Sequence, residues 1–242
     1  MPSLIIPEAR FEQPELFIPG RKPIGPVEID WTHHLTRGLL RCILPALMGD
    51  SDLVTGKLPD RSGAYEYRAG GVHFSSNADG VFEYGRTVET GDTKTLLSIG
   101  KTESSGDIHY LFMMADTALN VNLIGLSLEA DNRFRYFVRY GGTGASSEWT
   151  VNPTEGVVYT MVGVTRSATD HELFVDGVSR GSSSQSQPTD VILDSTIIGA
   201  VGDASPNFGI GTVYAGMYWN RALSNPEIES ISHDPYQFLI PA

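Results

Sequence analysis

From residue 27 onward, the sequence is a succession of short apolar segments of strand length, separated by turn-forming residues. Within 133–139, arginines alternate with Phe134, Tyr136 and Val138, so an extended backbone places the two sets on opposite faces. Glycine, serine and proline dominate the breaks, as in the predicted loops 141–147 and 181–188. The pattern predicts eleven strands: 38–44, 71–74, 81–84, 94–99, 108–115, 121–128, 133–140, 157–166, 171–175, 191–198 and 211–219.

Two local signals add detail to this all-β reading. Asp176 and Gly177 separate two apolar runs and predict a tight hairpin, because the primed turns of hairpins need positive φ. Ser224 and Glu227 form the pattern of a capping box, which predicts one short helix that ends at Asp234-Pro235. No internal repeat is visible, so the strands predict a two-sheet antiparallel sandwich with one C-terminal helix.

The first 26 residues form a separate region. They hold six prolines, which exclude a central strand or a helix interior. The same stretch carries apolar residues that need a surface to cover them, so we expect an extended arm at 1–26 ahead of a sandwich domain at 27–242. The expected partner-binding residues of this arm are Leu4, Ile5, Ile6, Phe11, Leu16, Phe17 and Ile18.

The charge and the cysteine content exclude several classes of protein. A net charge of −12 argues against binding to nucleic acid or to an anionic membrane surface. A single cysteine, Cys42, excludes an intrachain disulfide and a cysteine zinc cluster. We also expect no transmembrane helix and no signal peptide, since no apolar run has the required length and flanks.

Two blocks of the sequence resemble the laminin-G/concanavalin-A-like (LamG-like) jelly-roll family. The first is the hairpin region 157–181, with the run Leu173-Phe174-Val175-Asp176-Gly177 at its centre. The second runs from Ile197 through 214–228 and includes Asn220-Arg221-Ala222-Leu223 before the helix. The resemblance covers about residues 36–236 and implies a jelly-roll topology for the sandwich. With Asp234-Pro235-Tyr236 after the helix, the ending is similar to LamG-like proteins of tailed bacteriophages and prophages.

Catalytic motifs are missing from the sequence. Glucanases with this type of sandwich carry three carboxylates on one strand in a Glu-x-Asp-x-x-Glu pattern. The nearest fragment here is Glu129-Ala130-Asp131, where Phe134 replaces the last carboxylate and a hairpin turn is the simpler interpretation. His33 and His34 would point to opposite faces of an extended chain, and no zinc motif occurs. We therefore expect no catalytic residues and a protein that is not an enzyme.

Ligand sites are predicted only in outline. We expect no cofactor and no dedicated metal site, although calcium remains an option through oxygen ligands in acidic loops: Asp50, Asp52, Asp60, Asn77, Asp79, Asp203 and Asn207. Carbohydrate recognition requires exposed aromatic rings on which sugars stack. Trp149 and Tyr140, on either side of a Gly/Ser-rich segment, are the candidate glycan-binding residues.

The sequence thus leads to three functional hypotheses. The first is a structural module of a bacteriophage virion, such as a head-decoration, minor capsid or fibre-associated protein, assembled in the bacterial cytoplasm. Its partners would be other virion proteins or further copies of itself in a homo-oligomer. The alternative is a lectin-like carbohydrate-binding module, with a glycan-degrading enzyme as the third and weakest option.

Overall fold

The computed structural model describes residues 22–23, 25–75, 80–85, 92–103, 108–116, 122–129, 133–141, 143–187, 193–199 and 211–242. Two antiparallel sheets form a sandwich, and one α-helix lies near the C-terminus of the described chain. The predicted all-β, two-sheet jelly-roll-like sandwich is therefore confirmed. The arm predicted at 1–26 falls mostly outside the described residues, and its division from the domain stays a prediction.

The first sheet has seven strands, all paired in antiparallel fashion. In spatial order they are β11 (Thr143–Trp149), β10 (Arg133–Tyr140), β9 (Leu123–Glu129), β8 (His109–Ala115), β15 (Ser195–Gly199), β6 (Val81–Glu83) and β3 (Asp60–Ser62). The register pairs Arg133 with Glu129, so β9 and β10 are antiparallel neighbours, whereas residues 130–132 of the predicted turn lie outside the described residues.

The second sheet has eight strands and carries the helix on its outer side. In spatial order they are β14 (Val178–Ser183), β13 (Asp170–Val175), β12 (Tyr159–Ser167), β7 (Lys94–Thr102), β16 (Gly211–Trp219), β5 (Gly71–Phe74) and β4 (Tyr65–Arg68), and β2 (Leu39–Ile43) also pairs with β16. A two-stranded sheet joins β1 (Val27–Ile29) to β17 (Leu239–Pro241), and the helix is α1 (Asn225–His233).

The main core lies between the two sheets. On β10, Phe134, Tyr136 and Val138 point into it, and each is at most 1% exposed. The alternating arginines of the same strand lie on the outer face, as the sequence pattern predicts. Fully burying each large apolar side chain contributes about 1.5–3 kcal/mol, so this alternation fixes the strand's register.

A second apolar layer covers the outer face of the second sheet. Leu223, Ile228 and Ile231 attach α1 to this face, where each of them is fully buried. Trp219 belongs to this layer, and its Nε1 donates to the Leu35 carbonyl oxygen at 2.7 Å. On a strand, neighbouring residues such as Tyr218 and Trp219 point to opposite faces of the sheet. Both are buried, because the outer face of the sheet is itself covered.

One predicted loop is a strand. The Gly/Ser-rich segment after β10 forms β11, with Ala145 and Ser147 buried on its inner side. The Ser147 Oγ donates to the His171 carbonyl oxygen at 2.9 Å, and a Cβ on Gly181 would lie only 2.3 Å from the Glu148 carbonyl oxygen. The small residues are therefore required by close packing between the edges of the two sheets.

The local signals for the hairpin and the helix are confirmed. Asp176 and Gly177 both have positive φ (51° and 77°) at the turn between β13 and β14. At the start of α1, the Ser224 backbone N–H and hydroxyl donate to the Glu227 carboxylate at 2.8 and 2.9 Å. Both motifs act over a few residues, which explains why the sequence alone predicts them.

The described end of the N-terminal region lies against its own domain. The Lys22 ammonium donates to three backbone carbonyl oxygens, those of Pro45, Gly70 (2.7 Å) and Tyr214 (2.8 Å). The Ala242 N–H donates to the Pro26 carbonyl oxygen at 3.1 Å. Residues 22–26 are therefore attached in cis where they are described, whereas all seven apolar anchors predicted between Leu4 and Ile18 lie outside the described residues.

Candidate functional site

A cleft of about 830 Å³ opens at one end of the outer layer of the second sheet. It forms where the segment after β1 meets the end of β16 and the first turn of α1. Its size is in the usual range for a small-molecule or sugar site. We call it the Trp31 cleft, and its main lining residues are Trp31, His33, His34, Arg37, Asn220 and Arg221.

Trp31 is the most exposed large aromatic ring in the described chain, at 57%. The turn that carries it is held by Asp30, whose carboxylate accepts from the Thr32 N–H (2.9 Å) and hydroxyl (2.6 Å). No aromatic ring or cation of the described residues lies against the indole. A rigidly held turn thus presents a free indole to solvent, as stacking on a sugar ring requires.

Two histidines follow Trp31 in the cleft. The centroids of their rings lie 4.5 Å apart, because the chain turns into a 3-10 helix at His34–Thr36, directly after the capping residue His33. The two rings therefore lie side by side, and not on the opposite faces that a fully extended chain would give them. The His33 Nδ1 accepts from the Leu35 N–H at 3.3 Å, which leaves Nε2 as its donor when the ring is neutral. Burial and then the neighbouring His34 lower the pKa of His33.

An ion pair forms the opposite wall. Both terminal nitrogens of Arg221 donate to the Glu227 carboxylate, at 3.1 and 2.8 Å, and Arg221 Nε donates to the Arg37 carbonyl oxygen at 2.7 Å. The Arg221 hydrogen bonds lower the pKa of Glu227 to about 2, with a further contribution from Ser224. Glu227 is therefore ionised at neutral pH and its charge is compensated within the wall.

The floor of the cleft depends on a glycine. Gly38 has φ of +77°, and a Cβ at this position would lie 2.7 Å from the Asn220 Oδ1. The Asn220 N–H donates to the Gly38 carbonyl oxygen at 2.9 Å, so the two segments are joined at this point. The Asn220 side chain is left exposed beside the cleft as a neutral hydrogen-bonding group.

Of the two aromatic residues predicted to bind a glycan, Tyr140 is in the core. Its side chain is only 2% exposed, and its hydroxyl lies 3.3 Å from the Lys94 Nζ, which donates to it. A ring in this position cannot stack on a sugar from solvent, so the structure contradicts the prediction for Tyr140. It continues the inward-facing set of β10, two residues after Val138.

Trp149 is only partly buried, at the end of β11. Its ring stacks on Phe134, with centroids 5.0 Å apart and planes 23° from parallel. The guanidinium of Arg180 lies over the same ring at 4.4 Å from the centroid. The role of Trp149 in glycan binding stays a prediction, but its ring already has two partners.

The calcium option also stays a prediction. Asp50 and Asp52 are buried, and their carboxylates accept from protein donors: Ala46 N–H, Arg61 and Tyr67 for Asp50, and Arg41, Cys42 N–H, Val54 N–H and Thr55 for Asp52. Asn77, Asp79, Asp203 and Asn207 lie outside the described residues. Within the described ranges, no group of three or more His, Cys, Asp or Glu side chains is placed to hold a metal ion.

The Trp31 cleft was missed by sequence reasoning. Its residues come from two segments, 31–38 and 220–227, that are far apart in the chain. One signal was available: Trp31 is flanked by Asp30, Thr32 and two histidines, and a tryptophan among polar residues does not fit an apolar strand face.

Comparison with known proteins gives structural neighbours only. No family model and no curated protein matches the sequence. Among solved structures, Trypanosoma rangeli sialidase matches with a TM-score of 0.60 and 18% identity over 83% of this chain and 33% of the sialidase. The receptor binding domain of botulinum neurotoxin C/D mosaic serotype matches with a TM-score of 0.65 and 8% identity, over 81% of this chain and 51% of the toxin chain. A botulinum neurotoxin type C structure matches with a TM-score of 0.64 and 7% identity, over 81% of this chain and 50% of the toxin chain.

These neighbours share the fold of this chain. The chain spans about one third of the sialidase and about half of the toxin chains, at identities that show the β-sandwich alone. No helix in the described residues has the length and apolarity needed to span a membrane.

The comparison corrects one prediction. The chain was expected not to be an enzyme, and this expectation is contradicted, because the structures that share its sandwich include sialidases, which are enzymes. The physical reason is that the missing Glu-x-Asp-x-x-Glu pattern excludes one chemistry on one strand, whereas a sandwich can carry different sites on its loops and faces.

Proposed function

We propose that this chain is a carbohydrate-binding β-sandwich and that the Trp31 cleft is its binding site. The observation that carries the proposal is the 57% exposed indole of Trp31 at the mouth of a cleft lined by polar side chains. A sugar presents an apolar face of C–H groups and a rim of hydroxyls. The indole matches the face, and His33, Asn220 and Thr32 supply hydrogen-bonding groups for the rim.

The structural neighbours support this class of ligand. The T. rangeli sialidase has been solved in complex with sialic acid, and botulinum neurotoxin type C depends on interaction with two ganglioside molecules for cell entry. Low identity means that neither protein assigns a residue here. Their support is that this sandwich occurs in proteins that recognise such molecules.

The virion role stays a prediction beside this proposal. The sequence resemblance to phage LamG-like proteins motivates it, together with the apolar residues of the arm. A glycan-binding sandwich is compatible with a location on a particle surface. Docking through the arm and assembly into a homo-oligomer likewise remain predictions, to be tested by the solution mass of the intact chain and of a chain lacking residues 1–21.

A glycan array tests the proposal. We expect the intact chain to bind a defined set of glycans and Trp31→Ala to lose that signal. Trp149→Ala is the matched control, because it removes the second partly accessible tryptophan at a different place in the fold. Absence of binding by the intact chain, with and without calcium, would contradict the proposal. Loss of binding in Trp149→Ala with retention in Trp31→Ala would move the site to β11.

A further inference from the structure

Resting on the proposed function, we infer that the Trp31 cleft selects an acidic sugar, whose carboxylate binds the Arg37 guanidinium while its ring lies on Trp31. The chemical class is a terminal sugar with a ring-attached carboxylate, such as a sialic acid or a uronic acid.

Arg37 differs from most arginines of the described chain in its charge environment. Seven arginines of the described chain pair with carboxylates: Arg41, Arg61, Arg68, Arg133, Arg135, Arg166 and Arg221. Arg37 has no such partner among the described residues, although the protein carries 29 acidic and only 17 basic side chains. In an acidic protein, an arginine kept away from carboxylates is available for an external anion.

The lining of the cleft contains one balanced ion pair and one further guanidinium. Among the described residues that line it, Glu227 is the one carboxylate, and both its oxygens accept from Arg221. The two charges of that pair cancel, which leaves Arg37 as the one guanidinium in the lining without a carboxylate partner, while the carboxylates of Asp30 and Asp234 act on His33 from outside the lining. An anionic ligand in the cleft can therefore pair with Arg37 without displacing a carboxylate of the lining.

The backbone of Arg37 is held by hydrogen bonds on both sides of its Cα. Its carbonyl oxygen accepts from Arg221 Nε, and its N–H donates to the His34 carbonyl oxygen at 3.4 Å. The backbone is held while the guanidinium remains exposed at the cleft. A guanidinium can donate two parallel hydrogen bonds to a carboxylate, and the neighbouring His33 Nε2–H is a further donor.

The structure also provides a matched control. Arg139 is exposed and has no carboxylate partner among the described residues, but it lies on β10 in the other sheet. Arg139→Gln therefore changes the net charge as Arg37→Gln does, without touching the cleft. Differences between the two variants report a local contact and not the total charge of the protein.

The test is calorimetric titration of the intact chain with sialyllactose and with a glucuronate-terminated disaccharide, each beside its carboxylate methyl ester. We expect at least one acid to bind about tenfold or more tighter than its ester, since a hydrogen bond to a charged group supplies that factor. Arg37→Gln should remove this preference, and Arg139→Gln should keep it.

The outcomes separate the inference from the proposed function. If the esters bind as tightly as the acids, or if Arg37→Gln keeps the preference, the inference is overturned and the glycan-binding function stands. The same holds if only neutral glycans bind on the array. If no glycan of either kind binds the intact chain, the proposed function itself fails.

Discussion

Trp31 and Trp149 show how differently one fold can use the same side chain. Trp149 lies at the edge between the sheets, where Phe134 stacks on its ring and Arg180 lies over it. Trp31 lies on a turn above the outer layer, 57% exposed and without a described aromatic or cationic partner. The comparison teaches that a tryptophan near a glycine-rich segment is not thereby available to ligands, because small residues can mark close packing.

The surroundings of the two rings explain this difference. Around Trp149, Gly181 lets β14 approach the Glu148 backbone, and the indole covers the edge of the main core. Around Trp31, the polar groups either hold the turn, as Asp30 does, or face the cleft. The first arrangement stabilises the sandwich, and the second leaves surface for a partner.

The largest expected effect is on stability at the β11 edge. Trp149→Ala should lower the free energy of unfolding by about 3 kcal/mol, the lower end for such a truncation, since the ring is only partly buried. Trp31→Ala should change it by less than about 0.5 kcal/mol, as expected for an exposed side chain. Urea denaturation measures both values. Equal losses of unfolding free energy in the two variants would contradict the different roles assigned to the two tryptophans.

The next effect concerns the floor of the Trp31 cleft. Gly38→Ala should cost about 1–2 kcal/mol for the left-handed backbone, with an added cost because the new methyl meets the Asn220 Oδ1. Gly56→Ala is the control, since Gly56 has φ of +70° and nothing lies within 4 Å of its Cβ position. Thermal unfolding should show a larger loss for Gly38→Ala. The same loss in both would mean that Asn220 moves freely.

The smallest expected effect is the pH dependence of the stability that Glu227 contributes in the wall of the Trp31 cleft. The folded-state pKa of Glu227 is lowered from 4.5 to about 2, so its contribution to stability is present above about 4.5 and is lost as the pH falls towards 2. At pH 7, Glu227→Gln should cost about 1 kcal/mol through the capping box. Below pH 4.5, the difference in melting temperature between this variant and the parent should shrink.

Glu229→Gln, at an exposed position on the same helix, is the control for this prediction. A constant difference down to pH 2 would show that Arg221 does not hold this carboxylate.

The sequence predicts the parts of this structure that depend on neighbours in the chain. Strands β10 and β16 have the bounds expected from their patterns, and the Ser224–Glu227 cap begins α1 as predicted. The burial of Tyr140 could also have been predicted from the sequence. Tyr140 lies two residues after Val138 on β10, so both side chains point to the same inner face of the sheet. The prediction of Tyr140 as an exposed glycan-binding ring ignored the alternation of inward and outward side chains from which β10 itself was predicted.

The parts that were missed depend on contacts between distant segments. The strand character of β11 comes from pairing with β10 and from packing against β13, so its Gly/Ser composition was misread as a loop. The Trp31 cleft combines residues some 190 positions apart, joined by the hydrogen bond from Asn220 to Gly38. Local patterns carry no information on such pairs.

Tryptophan fluorescence during glycan titration tests the central claim most directly. The chain has three tryptophans, and Trp219 is fully buried. In Trp149→Phe, Trp31 is the accessible reporter; in Trp31→Phe, the accessible reporter is Trp149. With the glycan that gives the strongest array signal, the account predicts a saturable emission change in Trp149→Phe and none in Trp31→Phe. A saturable change that persists in Trp31→Phe and disappears in Trp149→Phe would contradict it.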